Sequence, residues 1–556
     1  MAKIVFKELT SKQIVLFPEN ISDRIPANHP VRIVDQVVDS IDISSIISEY
    51  KGGGTSSFHP RMMIKVLFYS YLSNIYSCRK IEKALLENIY FMWLSGNSTP
   101  DFRTINYFRG KRLKNKIQNL FAEVVRLLQS LGYVSLDVQY IDGTKIESAS
   151  NRYTFVWRGS VEKNKDKLEL KIKRILSDIN NQIQEDEKTE NQQEEFSKID
   201  SDLLKSKLAE INSRLKDLSK ASQKQIEKLQ KEHLPRLEKY EQQIEILGDR
   251  NSYSKTEEDA TFMRMKDDHM KNGQLKPAYN TQISTEQQYI THYTIHQTPG
   301  DTTTLTTHLE SFKNQYNKQS KEVVADAGYG SEENYENMEK EQIEAYVKYN
   351  YFHKEQKRAF KNNFFLSENL YYNSEEDYYV CPMGQHMTKI GEGKRESANG
   401  YISKVTYYQA QRCEGCPLRG KCHNSKNNRR IEVNYRLREL KAKAKQRLTS
   451  ETGLKHRSNR AIEPEAVFGQ LKSNNKFNRF THKGLAKVNI EFGLMAIGHN
   501  LRKLAPKVSK NEKSAAINNF GQVINRIKLA ILNNKLIYEY CIESKVKLRY
   551  CSNFAA

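Results

Sequence analysis

Three acidic residues stand in settings that suit phosphodiester chemistry. Asp142 ends the strand-like run VQYIDGTKIES, Asp326 ends KEVVADAGYG, and Glu465 lies in the helix-like stretch EAVFGQLK. Hard oxygen donors on two strand ends and one helix are what a two-metal site requires, with Mg²⁺ or Mn²⁺ ions held roughly 3.5–4 Å apart. Either aspartate alone reads as a turn former, since Gly143 follows the first and Ala327-Gly328 the second. The case rests on their occurrence together. Lys472 follows Glu465 by two helical turns, so a metal ligand and a phosphate-binding cation would face the same way. Asp137 competes with Asp142 but begins its strand. Glu463 competes with Glu465 but precedes Pro464, where helix is disfavoured. Asp267, Asp268 and Asp301 could support the triad from behind.

The elements that must position these groups follow from hydrophobic spacing. Residues 1–130 read as helical: VRIVDQVVDSIDISSIISEY before a triple-glycine break, then FHPRMMIKVLFYSYLSNI with Pro60 at a helix start, then two or three further helices. VSLDVQYIDGTKIES opens a catalytic core at 131–159. Residues 160–250 interrupt it with heptad-like stripes, Leu168, Ile172, Ile175, Ile179 and Leu204, Leu208, Ile211, Leu215, Leu218, which predict an antiparallel coiled-coil hairpin. The core resumes over 251–351 with two alternating strands, a crossover helix, the Asp326 strand, a helix and the strand IEAYVKYNY. That order predicts an RNase H-like mixed sheet flanked by helices, an α/β fold. A second insertion fills 352–450. The Glu465 helix and its basic run occupy 451–510, and a helical tail 511–556.

Charge narrows the partners. The 556 residues carry a net +22, yet residues 160–250 hold 19 basic against 20 acidic side chains. The hairpin is therefore a poor grip for a polyanion and better suited to a structural arm or dimer contact. From Arg419 to Lys513, 24 basic residues face 7 acidic ones, and Glu465 lies among them. A basic surface around an acidic metal site suits a nucleic acid. No apolar run approaches the roughly 20 residues of a membrane span, and seven unevenly spread cysteines argue for a reducing cytoplasm rather than a disulfide framework.

The second insertion carries Cys413-x2-Cys416-x5-Cys422 after Cys381, four thiols that could close one tetrahedral Zn²⁺ site, with His386 and His423 as alternative ligands. Cys78, Cys541 and Cys551 read as ordinary thiols.

YIDGTKIES, VVADAGYGS and EAVFGQLKSNNKFNRFTHKGLAKVNIEFGLMAIGHNLRKL together resemble the DDE transposases of bacterial insertion sequences. The stretch TYYQAQRCEGCPLRGKC resembles the cysteine-bearing insert of one branch. The resemblance implies an enzyme with catalytic Asp142, Asp326 and Glu465 that binds double-stranded DNA, both terminal inverted repeats and target, as a homodimer in the bacterial nucleoid. It implies two Mg²⁺ ions at the triad, strand cleavage, and strand transfer by the freed 3′-OH. Lys472, Arg460, Arg479 and Lys483 would hold backbone phosphates there, and Arg103 and Arg109, beside Lys111 and Arg112, would contact DNA from the helical domain. One departure stands out. The family signature places an Arg four residues before the Glu, and here that position is Ala461, with Arg460 one step further back and no Tyr nearby. A DDE-type endonuclease without strand transfer, and a non-catalytic transposon-derived DNA-binding protein, are the other two readings.

Overall fold

The computed structural model describes residues 20–50, 56–187, 199–213, 220–265 and 273–510. Asp267, Asp268, Cys541, Cys551, the glycine break and the 511–556 tail lie outside the described residues.

The chain forms two compact units. One comprises residues up to 135, residues 289–291 and the chain from 490 onward. Its helices include Pro30–Ser40, Pro60–Leu72, Cys78–Glu87, Ile89–Ser95 and Ile117–Ser130. Pro30 and Pro60 both occupy a first helical turn, where the missing N–H costs nothing, and the rings of His29 and His59 cap those helices through Nδ1. The helix Leu485–Lys510 contributes all but its first five residues to this unit. Its close approach explains the assignment: a β-carbon on Gly498 would lie 3.0 Å from the backbone of Tyr71 and Leu72. Among the described residues no helix is long and apolar enough to cross a membrane.

The second unit spans 136–288 and 292–489. Its strands are β1 (Val138–Glu147), β2 (Phe155–Trp157), β3 (Ser252–Ser254), β4 (Thr261–Arg264), β5 (Leu275–Glu286), β6 (Tyr289–His296, of which His292 onward belongs to this unit), β7 (Glu322–Ala325), β8 (Glu344–Val347), β9 (Tyr371–Asn373), β10 (Tyr378–Val380), β11 (His386–Glu396), β12 (Ile402–Ala410) and β13 (Arg430–Val433). A mixed sheet runs β4-β5-β1-β7-β8, with β6 also on β5; β5 is antiparallel to β1, while β7 and β8 run parallel. Helices Leu305–Tyr316 and Glu332–Lys340 make the crossovers, and Leu305, Leu309, Met338 and Tyr335 pack with Val323, Val324 and Ala345 in one core. The mixed α/β architecture agrees with expectation, and the order is compatible with an RNase H-like core.

The charged insertion is more than a two-helix hairpin. Helix Arg158–Glu187 shares one core with helix Ser201–Ser213 and with a third run, Lys220–Leu247, broken by a π turn at Leu229–His233. Leu168, Ile172, Leu176 and Ile179 are buried, whereas Ile175 sits at the flank. The inward stripe therefore steps four, four, three. A third helix widens the apolar arc that each helix must present, which a two-helix seam would not. The cysteine insertion forms its own five-stranded sheet, β13-β12-β11-β10-β9.

Beside the core sheet, His292, His296 and His308 are held neutral. Burial lowers His292 to about 3 and His296 to about 4, and holds His308 well below the ordinary value. His308 is bonded to Ser284 and Thr294, but among the described residues neither ring nitrogen of His292 has a hydrogen-bond partner. These groups take up protons in the unfolded chain below about pH 6.5 and resist doing so when folded. Stability is thus unaffected above that pH and falls as pH drops from 6.5 towards 4, by ~1.4 kcal/mol per pH unit for each histidine. Chemical denaturation across that window should show this slope, and His292→Leu should reduce it by one proton.

Candidate active site

The parallel register of β1 and β7 explains why two distant aspartates meet. Tyr140 pairs with Val324, and two residues further along each strand stand Asp142 and Asp326. The step of two keeps both on the same face. Asp142 is mid-strand rather than at a strand end, because β1 runs on to Glu147 along β5 after β7 has stopped. Asp326 caps a short turn, its Oδ1 accepting from the Gly328 N–H at 2.9 Å.

Glu465 arrives from a helix that begins at Glu451, and Arg460 joins all three carboxylates. Its Nη1 lies 2.8 Å from Glu465 Oε1, and its Nη2 3.4 Å from Asp142 Oδ1 and 3.5 Å from Asp326 Oδ2. Arg460 is 11% exposed and Asp142 8%, against 42% for Asp326 and 51% for Glu465. The site is a floor of buried charge open towards solvent on the Glu465 side.

The Arg reaches Glu465 from five residues away because Ala461–Glu465 is a π turn. A π turn closes over five residues where an α turn closes over four, so an i,i+5 pair shares a face. Pro464 gives the cause: in an α-helix its ring would clash with the carbonyl of Arg460, and the wider turn relieves this. Glu463 is turned away. Its Oε2 accepts from the Gln288 N–H at 2.7 Å, which satisfies the β5–β6 turn where Gln287 and Gln288 both adopt left-handed φ. Asp137 likewise lies at the other end of β1, paired to Lys318 at 2.8 Å and Lys321 at 3.5 Å.

Behind the aspartates is a polar network that the motifs did not reveal. Asp301 Oδ1 accepts from Asn280 Nδ2 at 2.8 Å and Gln282 Nε2 at 3.0 Å, and the Tyr329 hydroxyl donates to Gln282 Oε1. Burial, with Asp301, Asp142 and Asp326 adding to it, pushes the Tyr329 hydroxyl well above its ordinary range, so it remains a donor. Gly143 is required here: a β-carbon would lie 2.2 Å from Gln282 Nε2 and 2.8 Å from Asp301 Oδ1. The signal was present in NTQIST, polar at every position but Ile283 in the buried stretch of β5. Lys348, one residue past β8, was also missed. Burial, then Arg460 and Arg457, lower its pKa, while Asp326 and Glu465 act against this.

Lys472 lies in a second π turn, Gln470–Asn474, and its Nζ donates to the Lys145 carbonyl on β1 at 3.2 Å. Arg479 donates from Nε to Ser148 O and from Nη2 to Ser150 O, both at 2.9 Å. Lys483 is exposed beside it. In the helical unit Arg103 is exposed, against the Phe102 ring. Arg109 corrects the expectation of a DNA-facing cation. It is buried, donating to Tyr71 Oη at 3.2 Å and to Tyr76 O at 2.7 Å, so its charge is used to tie helices together. Arg109→Ala should therefore cost about 3–5 kcal/mol of stability, whereas Arg103→Ala should leave the melting temperature within error.

In the cysteine insertion Cys381, Cys413, Cys416, Cys422 and His423 line one small cavity. The Arg429 N–H donates to Cys413 Sγ at 3.2 Å, and its Nη1 to Cys422 Sγ at 3.0 Å. His386 instead stacks on Tyr378, with centroids 3.8 Å apart. Among the described residues no three His, Cys, Asp or Glu side chains lie close enough together to share an ion, here or at the triad, where the guanidinium stands between the carboxylates.

Residues 380–505, which include β11, β12 and β13 of the cysteine sheet and the Glu465 helix, match the family described as "Transposase DDE domain". Residues 19–111, in the helical unit, match the "Transposase domain (DUF772)". Both matches are to transposase families, and together they support a DDE transposase of insertion sequences. The matches support transposase activity in general terms, and DDE transposases as a family generally use divalent metal ions. No curated protein and no solved structure matches the chain. Asp142 and Asp326 lie outside both matched segments, so their part in the site stands on the geometry alone.

Proposed function

We propose that the chain binds the terminal inverted repeats of its element as a homodimer in the bacterial nucleoid, cleaves the DNA there, and joins the freed 3′-OH to target DNA. One observation carries this reading: carboxylates from β1, from the end of β7 and from the Glu451 helix converge on a single guanidinium. Three oxygen donors on rigid elements suit Mg²⁺ or Mn²⁺, and Asp142, Asp326 and Glu465 would hold the ions. When bound, such ions activate the attacking water or 3′-OH and stabilise the leaving oxygen. The chain's own residues do the rest. Asp301, Asn280 and Gln282 pack against Gly143 and hold Tyr329 in the turn after Asp326, Arg460 shares the charge of the site, and Lys472, Arg479 and Lys483 meet backbone phosphates.

Purified protein, labelled element ends, a target plasmid and Mg²⁺ test the proposal. End cleavage followed by joining supports it. Cleavage without joining makes the chain an endonuclease, and binding without cleavage a DNA-binding protein only.

The thiols of the insertion suit Zn²⁺ by their chemistry, and Arg429 donates hydrogen bonds to Cys413 Sγ and Cys422 Sγ as an outer support. We therefore include a structural zinc in the proposal. Elemental analysis of reduced, freshly purified protein should find about one Zn²⁺ per chain, lost in the Cys413→Ser, Cys416→Ser double variant. Metal-free wild-type protein would remove zinc from the account.

A further inference from the structure

The strand that carries Asp142 and the segment that follows Lys472 come together a second time, at the far end of β1. Glu147 N–H donates to Asn478 O at 3.2 Å, and Phe480 N–H to Glu147 O at 2.8 Å. Arg479 then clamps the next loop through Ser148 O and Ser150 O. Beside this junction lies an open cleft of about 410 Å³. Its charged lining is Arg152, Arg479 and Lys483 against Glu147, and Tyr153 stands in it 74% exposed. Among the described residues neither Arg152 nor Lys483 makes a hydrogen bond or ion pair within the chain.

Exposing a tyrosine ring to this extent gains the fold little, and three cations around it repel one another. Both features are explained by an occupant with a flat aromatic face and negative charge. A nucleotide with its base out of the helix has both. Base stacking on an aromatic ring with the backbone held by basic side chains is how single strands are commonly gripped. Position adds a constraint. Five residues of β1 separate Asp142 from Glu147, about 17 Å at ~3.4 Å per residue. A DNA strand advances ~3.4 Å per base step, so the cleft lies about five steps from the scissile phosphate.

We infer that this cleft is a nucleotide subsite, in which Tyr153 stacks an unpaired base of the element end while Arg152 and Lys483 hold the flanking phosphate. The inference rests on the transposase reading and adds an unpaired stretch near the cut.

The test uses the full chain and duplexes ending in the element's terminal repeat. 2-Aminopurine replaces single bases from the third to the seventh position from the cut. Binding should raise its fluorescence at one position near the fifth. The catalytically silent Asp142→Asn variant should give the same signal. Tyr153→Ala should lose it and bind a forked end about 5- to 140-fold more weakly, the effect of one base–aromatic stack, whereas Tyr153→Phe should retain both. Tyr153 is at the surface, so unchanged melting temperatures should accompany these results. If the wild type cleaves ends but no position responds, and Tyr153→Ala binds forked DNA as the wild type does, the subsite is wrong and the transposase reading stands. If the wild type cleaves no DNA, that reading fails first.

Discussion

Asp142→Asn is expected to abolish end cleavage, by roughly 10³-fold or more, while leaving affinity for DNA nearly unchanged. Several kcal/mol of charge stabilisation at the reacting phosphate depend on this site. Asp142 is its most buried carboxylate, on the central strand of the sheet. DNA affinity, by contrast, is spread over many Lys and Arg contacts. The amide keeps the shape of the carboxylate and removes a charge that faces two others, so the variant should fold. Asp326→Asn and Glu465→Gln should behave alike. Asp137→Asn is the control from the same strand: its carboxylate faces Lys318 and Lys321 at the opposite end and should be silent for cleavage. Single-turnover nicking of an end-labelled duplex reads all four. Normal nicking by Asp142→Asn would remove it from the site.

What could be read from the sequence divides along physical lines. The core strands were legible because burial on both faces leaves a short apolar run such as Val323-Val324-Ala325, and Asp326 follows it directly. The convergence of Asp142 and Asp326 needed β1 and β7 as parallel neighbours in register, strands far apart in the chain whose pairing no local pattern records. Arg109 was misread for a related reason: a cation in a basic run looks solvated until Tyr71 and the Tyr76 carbonyl, over thirty residues away, are seen to enclose it. The third helix of the charged insertion was hidden because a two-stripe pattern does not say how many helices meet at it. Asn280, Gln282 and Tyr329 act through Asp301, a contact between strand, loop and turn with no periodic trace. Their polarity inside a buried strand was the only local sign.

Arg460 supplies the prediction that separates register from residue type. It stands one place too far from Glu465 for an α-helix, and the π turn at Ala461–Glu465 restores the alignment. Arg460→Ala should leave three converging carboxylates without a counter-charge. With Asp326 and Glu465 about half exposed, solvent would screen much of the repulsion, so the stability loss should be about 1–2 kcal/mol without metal. Divalent ions would then no longer compete with a guanidinium. Mg²⁺ should therefore raise the melting temperature of Arg460→Ala more than that of the wild type, although cleavage falls by roughly 10²-fold. Arg460→Lys should not rescue it, since a single ammonium cannot reach several carboxylates as the planar fork does. A length change tests the turn itself. Deleting the exposed Ile462 together with Pro464→Ala converts the π turn to an ordinary α turn and moves the Arg to four residues before the Glu. If the π turn exists to absorb one extra residue, this shortened helix should keep the Arg–Glu pair and much of the cleavage. Deleting Ile462 alone, with Pro464 left in a regular helix, should lose roughly 3 kcal/mol. Equal damage from both deletions would mean that the wide turn itself, rather than the alignment it restores, is what the site requires.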